Sequence, residues 1–262
     1  MRVTLNGYIV ADDDAWIYQF FGFSVFSPAN VRQALRDNPE GEDLVLEVNS
    51  PGGSVWSGDE MYTVLRGAAC RTVAEVQSLA ASAAFTMSMG CSQVLMSPVA
   101  QVMMHLPSIS TQGDKGSHQQ SIRLLDSVAD AILNAFEAKS NGKRTRDELA
   151  QMMASTTWFT AQEAVDAGLA DGILFQNDQV PTNVVNAVGG GIRALANAGG
   201  LPDPAQLRAR YEAMKAQKPG EGAEPEENAG EEQHSSTVDG ASAGNMDIWR
   251  SQAALDIEKL RF

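Results

Sequence analysis

The sequence predicts an α/β fold built on a largely parallel sheet, and three observations carry that expectation. Short apolar runs of β-type residues alternate with amphipathic helical patterns up to about residue 178. The connections between them are short, as in βαβ units. The chain has 262 residues, enough to bury a full core in one domain with residues to spare.

Each element has its own signature. DLVLEV (43–48) reads as a buried strand, and SVWSGDEMYTVLRGA (54–68) reads as a helix. RTVAEVQ (71–77) is a strand, SAAFTMSMG (82–90) a helix, and SQVLMSP (92–98) and AQVMMHLP (100–107) are strands. A long helix is expected over 117–139, where Ile122, Leu125, Val128, Ala129, Ile132 and Phe136 recur every three or four positions. TRDELAQMM (145–153) opens a shorter helix, with Thr145 and Glu148 placed as a capping box. TAQEAVDAGL (160–169) ends on a glycine suited to a helix C-terminus, ahead of the strand ADGILF.

Beyond Pro181 the pattern weakens. Residues 179–218 form a Gly/Ala-rich linker in which LRARYEAMKAQK (207–218) could make one helix. Residues 219–245 carry six Glu between 221 and 232 and too little apolar surface to order themselves, so a disordered acidic linker is expected. Residues 246–262 regain Ile248, Trp249, Ala253, Leu255, Ile257 and Leu260, as a short amphipathic segment that docks on a partner or on the domain itself, or is a loosely helical end with no role. The expected organisation is therefore a domain over 1–178 followed by these three segments.

Composition narrows the function. The formal charge is −14, from 19 Lys+Arg against 33 Asp+Glu. No basic patch offers a footprint for nucleic acid or an anionic membrane. Cys70 and Cys91 are the only cysteines, too few for a disulfide scaffold and remote from any Cys/His cluster, so no metal site is expected. The N-terminus turns acidic after a few apolar residues, and no stretch approaches the ~20 apolar residues of a membrane span. A soluble protein in a reducing, cytoplasmic setting fits best. No G-x-x-x-x-G-K-[ST] loop occurs, and no cofactor is implied.

Three stretches carry chemistry. NSPGGSV (49–55) sets paired glycines between a buried strand and a helix, where the backbone can turn tightly and expose N–H groups to an anion. AASAA (80–84) places Ser82 at the start of a helix, with the Ala83 N–H and the helix dipole available to negative charge beside its oxygen. Ser82 is then either an N-cap or a nucleophile with open space around its hydroxyl. VMMHLPS (102–108) ends a strand on His105, the only histidine inside the expected core, since His118 starts the long helix and His234 lies in the acidic stretch. His105 is a surface residue or a general base. In a parallel sheet catalytic groups gather at the carboxyl ends of strands, where both residues fall. Nucleophile, base and backbone donors are the parts needed for acyl transfer.

VNSPGGSV, AASAA and VMMHLP, in this order and spacing, resemble the Clp-type serine peptidase family, and most of all its phage-encoded, ClpP-like branch associated with prohead maturation. The resemblance runs from about residue 3 to 176 and takes in WFTAQEAVDAGLADGIL. It implies a ClpP/crotonase-like spiral of βαβ units with a long handle helix, by which rings stack. It implies Ser82 as nucleophile, His105 as general base, and the Gly53 and Ala83 N–H groups as an oxyanion hole. The loop STQGDKGS, with Gly113 and Gly116, resembles the segment on which the family lays an extended peptide. One position departs. Where the family has the third triad aspartate, this chain has Thr157, which would orient His105 as a neutral acceptor; Asp166 and Asp171 are the alternatives. Replacing that carboxylate by a neutral amide costs roughly 10⁴ in turnover in the serine-protease template.

The resemblance thus implies a homo-oligomeric serine endopeptidase acting on capsid or scaffold polypeptides during phage head assembly, in the host cytoplasm or the assembling prohead. Any ATP-driven unfoldase would be a separate chain. The alternative is a weak or inactive ring-forming scaffold that works through its C-terminal tail. Crotonase-type acyl-CoA chemistry shares the architecture but leaves Ser82 and His105 unexplained.

Overall fold

The computed structural model describes residues 1–175 and 201–216. Most of the expected linker (179–218), the acidic stretch (219–245) and the C-terminal amphipathic segment (246–262) lie outside the described residues. Two units are distinguished, one formed by Met1–Ala15 with Ser24–Leu201, the other by Trp16–Phe23 with the chain from Pro202.

The first unit is organised by a seven-stranded sheet. Strands β1 (Arg2–Asn6), β4 (Leu44–Ser50), β5 (Thr72–Ala81), β6 (Gln93–Met96) and β9 (Gly172–Ile173) run parallel in that order. Every second residue of β4, from Leu44 to Ser50, is buried. Leu44, Leu46 and Val48 join Ala74, Val76 and Phe85 in the core. A two-stranded parallel sheet, β2 (Tyr8–Ile9) with β3 (Val25–Phe26), stands beside it, and Ile9 also bridges to Gly53.

β5 controls the geometry of the site. The sequence reading ended this strand at Gln77, where two exposed polar residues break the apolar run. The strand instead continues to Ala81 through an irregularity, Val48 facing Val76 while Ser50 faces Ala80. Its first half pairs with β6 and its last three residues, Leu79–Ala81, pair with β7 (Gln101–Met104). The end of β5 therefore leaves β6 and lies beside the end of β7 within the same sheet. β8 (Thr157–Thr160), which the sequence pattern did not reveal, adds antiparallel to β7, with Met104 facing Thr157.

Helices α2 (Pro28–Asp37), α3 (Val55–Arg66), α4 (Ala83–Ser88), α6 (Arg146–Ala154) and α7 (Ala161–Asp166) accompany the strands. The Thr145–Glu148 capping box on α6 forms as expected: the Thr145 N–H donates to Glu148 Oε2 at 2.8 Å, and the Glu148 N–H to Thr145 Oγ1 at 3.2 Å. The long helix α5 runs Lys115–Ser140. Its buried residues are Val128, Ile132, Leu133, Ala135, Phe136 and Ser140, all in the C-terminal half, where Phe136 meets Phe85 of α4 at 5.2 Å between ring centroids. Ile122 and Leu124, in the other half, are 57% and 45% exposed.

In the second unit, α8 (Pro204–Ala216) begins three residues before the expected 207. Asp203 supplies the start, its carboxylate accepting the Ala205 N–H at 2.8 Å. Tyr211 packs edge-on against Trp16 and Phe20 at centroid distances of 5.3 and 4.9 Å, and the Tyr18 hydroxyl donates to the Pro202 carbonyl at 2.8 Å.

Candidate active site

Ser82 occupies the single residue between β5 and α4. Its backbone sits at φ 56° and ψ −127°, a region that L-residues avoid at a cost of about 1–3 kcal/mol. The strain is held by its neighbours: the Ser82 N–H donates to the Met103 carbonyl at 2.8 Å, and its own carbonyl accepts the Phe85 and Thr86 amides at 3.0 and 3.1 Å. The hydroxyl makes no capping bond to α4, so the N-cap reading does not describe it. Instead Ser82 Oγ lies 2.8 Å from His105 Nε2. A sharp strand-to-helix turn that frees a serine hydroxyl is the arrangement of a nucleophile elbow.

His105 follows β7 directly, and the pairing of Ala81 with Met103 brings the two side chains together. The imidazole is half-buried, and burial holds its pKa below the ordinary 6.5. A neutral ring can accept the serine proton at Nε2 while Nδ1 carries the ring hydrogen. Among the described residues no side chain takes a hydrogen bond from Nδ1.

Two residues whose backbone amides bear on the chemistry border the same cleft. Ala83 is the first residue of α4, so its N–H has no intrahelical acceptor. The bridge from Ile9 uses the Gly52 carbonyl and the Ser54 amide, each at 2.9 Å, which turns the Gly53 N–H the other way. Gly53 and Ala83 line one cleft with Ser82 and His105. The glycines are required here. A Cβ on Gly52 would lie 2.6 Å from the Ala81 carbonyl oxygen and 2.8 Å from Ser82 Cβ, and one on Gly53 would lie 2.1 Å from the Ile9 carbonyl oxygen. Both also have positive φ, 97° and 147°.

The other expected residues are placed elsewhere. Thr157 was expected to orient His105, but its hydroxyl donates to the Met152 carbonyl at 2.7 Å, closing the α6–β8 turn. Asp166 sits on α7 and accepts from Gln162 at 2.9 Å. Asp171 accepts the Val94 N–H at 2.6 Å and pairs with Lys139 at 2.5 Å, tying β6 to α5. None of the three is hydrogen-bonded to His105. Gly113 and Gly116 belong to the start of α5: a Cβ on Gly113 would meet Ser117 at 2.8 Å, and Gly116 lies within the helix beside its N-cap Asp114. From the loop after His105, the residues that line the cleft are Pro107 and Ser108.

One residue that sequence reasoning passed over also lines the cleft. Asp59 lies one helical turn beyond Val55 on α3, so the two share a face, and both reach the space beside Ser82. Burial raises the Asp59 carboxyl to about 6. The available signal was that i, i+4 spacing, which begins two residues after Gly53.

Comparison with known proteins accords with this geometry. Residues 32–177, just over half of the chain, match the family model described as Clp protease. The chain is 32% identical over 149 residues to the ATP-dependent Clp protease proteolytic subunit 2 of Corynebacterium glutamicum, covering 50% of this chain and 66% of that one. It is 31% identical over 146 residues to the proteolytic subunit 1 of Chlamydia abortus, covering 53% and 72%. Against the proteolytic subunit 2 of Nocardia farcinica it is 32% identical over 152 residues, covering 56% and 70%. With a parallel sheet that delivers a serine and a histidine to the ends of paired strands, and with this match across residues 32–177, the chain belongs to the Clp protease family.

Proposed function

We propose that the chain is a serine endopeptidase working through a Ser82–His105 dyad. His105 Nε2 takes the Ser82 proton as Oγ attacks a peptide carbonyl, and the oxyanion is held by the Gly53 and Ala83 N–H groups. The imidazolium returns the proton to the leaving amine, and water, activated the same way, hydrolyses the acyl-enzyme. The observation that carries this reading is the 2.8 Å contact between a strained, uncapped serine and a half-buried histidine.

The finer role follows from the resemblance noted in the sequence: processing of capsid or scaffold chains during phage head assembly, within a ring of identical subunits. The exposed Ile122 and Leu124 on the N-terminal half of α5 supply apolar surface for such an assembly. The relatives' names include "ATP-dependent". Without a phosphate-binding loop of its own, this chain would draw any ATP-driven unfolding from another polypeptide. Among the described residues no helix is long and apolar enough to cross a membrane.

A fluorophosphonate probe tests the hydrolase. Covalent labelling that disappears in Ser82→Ala supports it. An unlabelled, folded wild type would instead favour the second reading, a non-catalytic assembly factor, which is supported by the lack of a carboxylate hydrogen-bonded to His105 among the described residues. Mass spectrometry of the full chain over time, with Ser82→Ala as control, reads out any processing of the C-terminal tail.

A further inference from the structure

Val55, Met104, Ile132 and Phe136 give the cleft beside Ser82 an apolar wall, and Asp59 lines the same cleft. We propose that Asp59 makes this enzyme select lysine or arginine on the acyl side of the scissile bond.

This inference rests on the hydrolase reading above and adds its substrate class. Once the substrate carbonyl sits between Ser82 Oγ and the two amides, the side chain on its α-carbon is the first to enter the adjoining cleft. An apolar wall ending in a carboxylate suits a long methylene stem with a cationic head, because the stem replaces water along the wall while the charge is paired. Among the described residues Asp59 has no such partner from the protein itself. On its own helix, Glu60 is paired with Arg32. Arg32, on α2, also holds Asp12, and Arg36 of the same helix donates to Gln33. α4, the other neighbour of α3, carries no charged residue. Of the residues lining the cleft only His105 and Asp59 titrate.

A partly buried carboxylate without a cation is unfavourable, and the cost shows as a carboxyl raised by burial alone to about 6. At pH 7.5 it is still ionised and available to a cation. Arriving lysine or arginine would remove the imbalance. Norleucine, which shares the stem of lysine and lacks its charge, would bury the carboxylate unpaired.

The test uses the full-length protein and two fluorogenic peptides that differ only in lysine or norleucine before the scissile bond. At pH 7.5 the expected preference in kcat/KM for lysine is on the order of 10²-fold. It should shrink as pH falls through 6 and should drop to within a few-fold in Asp59→Asn. Equal cleavage of the two peptides by a wild type that fluorophosphonate labels at Ser82 would overturn the specificity and leave the hydrolase standing. A wild type that neither labels nor cleaves would overturn both. The wild-type ratio decides the matter even where the variant folds poorly.

Discussion

Ser82 and His105 stand 2.8 Å apart at the ends of β5 and β7, two strands that pair with each other over their last three residues. The contact is therefore set by backbone register, and no carboxylate among the described residues is hydrogen-bonded to the imidazole. Burial alone tunes the base, and it does so downward. Protonated His105 cannot accept the Ser82 proton, so reactivity rises with pH through a pKa that lies below 6.5. The rate of fluorophosphonate labelling, followed against pH with an uncharged probe, should show its acid midpoint below that value. A midpoint at 7 or above would mean that an unseen anion supports the ring.

Thr157 separates a positioning role from a structural one. Its hydroxyl is committed to the Met152 carbonyl. Thr157→Val removes that donor and should lower stability by about 1 kcal/mol. Labelling of Ser82 should change by less than about threefold, against roughly 10⁴ for the loss of a working triad carboxylate. Thermal unfolding and labelling rates on the same samples distinguish the two, and a hundredfold loss of labelling would restore Thr157 to the machinery.

Gly52 presses against the nucleophile. With a φ of 97° and only 2.8 Å between its hypothetical Cβ and Ser82 Cβ, Gly52→Ala must displace either the Pro51–Ser54 turn or the serine. A shift of this size at reacting atoms costs on the order of 10² in rate. Reduced labelling in a variant whose circular dichroism is unchanged is the expected result.

α5 offers a test of assembly. Its first half exposes Ile122 and Leu124 and contributes no residue to the core, so substitution there touches little inside the subunit. Ile122→Glu with Leu124→Glu should lower the mass seen by sedimentation while leaving far-UV circular dichroism unchanged. An unaltered oligomer would place the interface elsewhere.

The sequence made some of this legible and hid the rest for identifiable reasons. β4 and α3 were plain, because an apolar run broken only by Glu47 and followed by Asn49-Ser50-Pro51-Gly52-Gly53 admits few other conformations. Ser82 was placed at the right junction, though its left-handed backbone has no residue-type signature when the residue is not glycine. β2 and β3 went unread, since two residues make no period; yet Ile9 is what fixes Gly53. The third triad position failed for another reason: sequence alignment fixes where Thr157 lies along the chain, while the direction of its hydroxyl depends on the turn at Thr156, with φ 51°. Gly113 and Gly116 were read as substrate-binding from the resemblance of STQGDKGS alone, and the residue pattern itself did not show that α5 starts there.

Asp59 exposes a conflict between stability and recognition. Its carboxyl is raised from 3.8 to about 6 on folding, so the ionised form is the one the fold disfavours. The penalty is complete above pH 6 and fades as pH falls toward 3.8, where both folded and unfolded chains are protonated. Removing the charge should therefore stabilise the protein at neutral pH. Two pK units correspond to roughly 3 kcal/mol, but the group is partly open to solvent and the screened gain expected for Asp59→Asn is about 1 kcal/mol. Denaturant titrations of the wild type and the variant at pH 7.5 and pH 4 should show the variant ahead at the first and level at the second. Lost lysine preference accompanied by gained stability would identify a carboxylate kept for what enters the cleft. A variant less stable at pH 7.5 would mean that Asp59 already has a partner within the fold, and the basis for a cationic substrate would go with it.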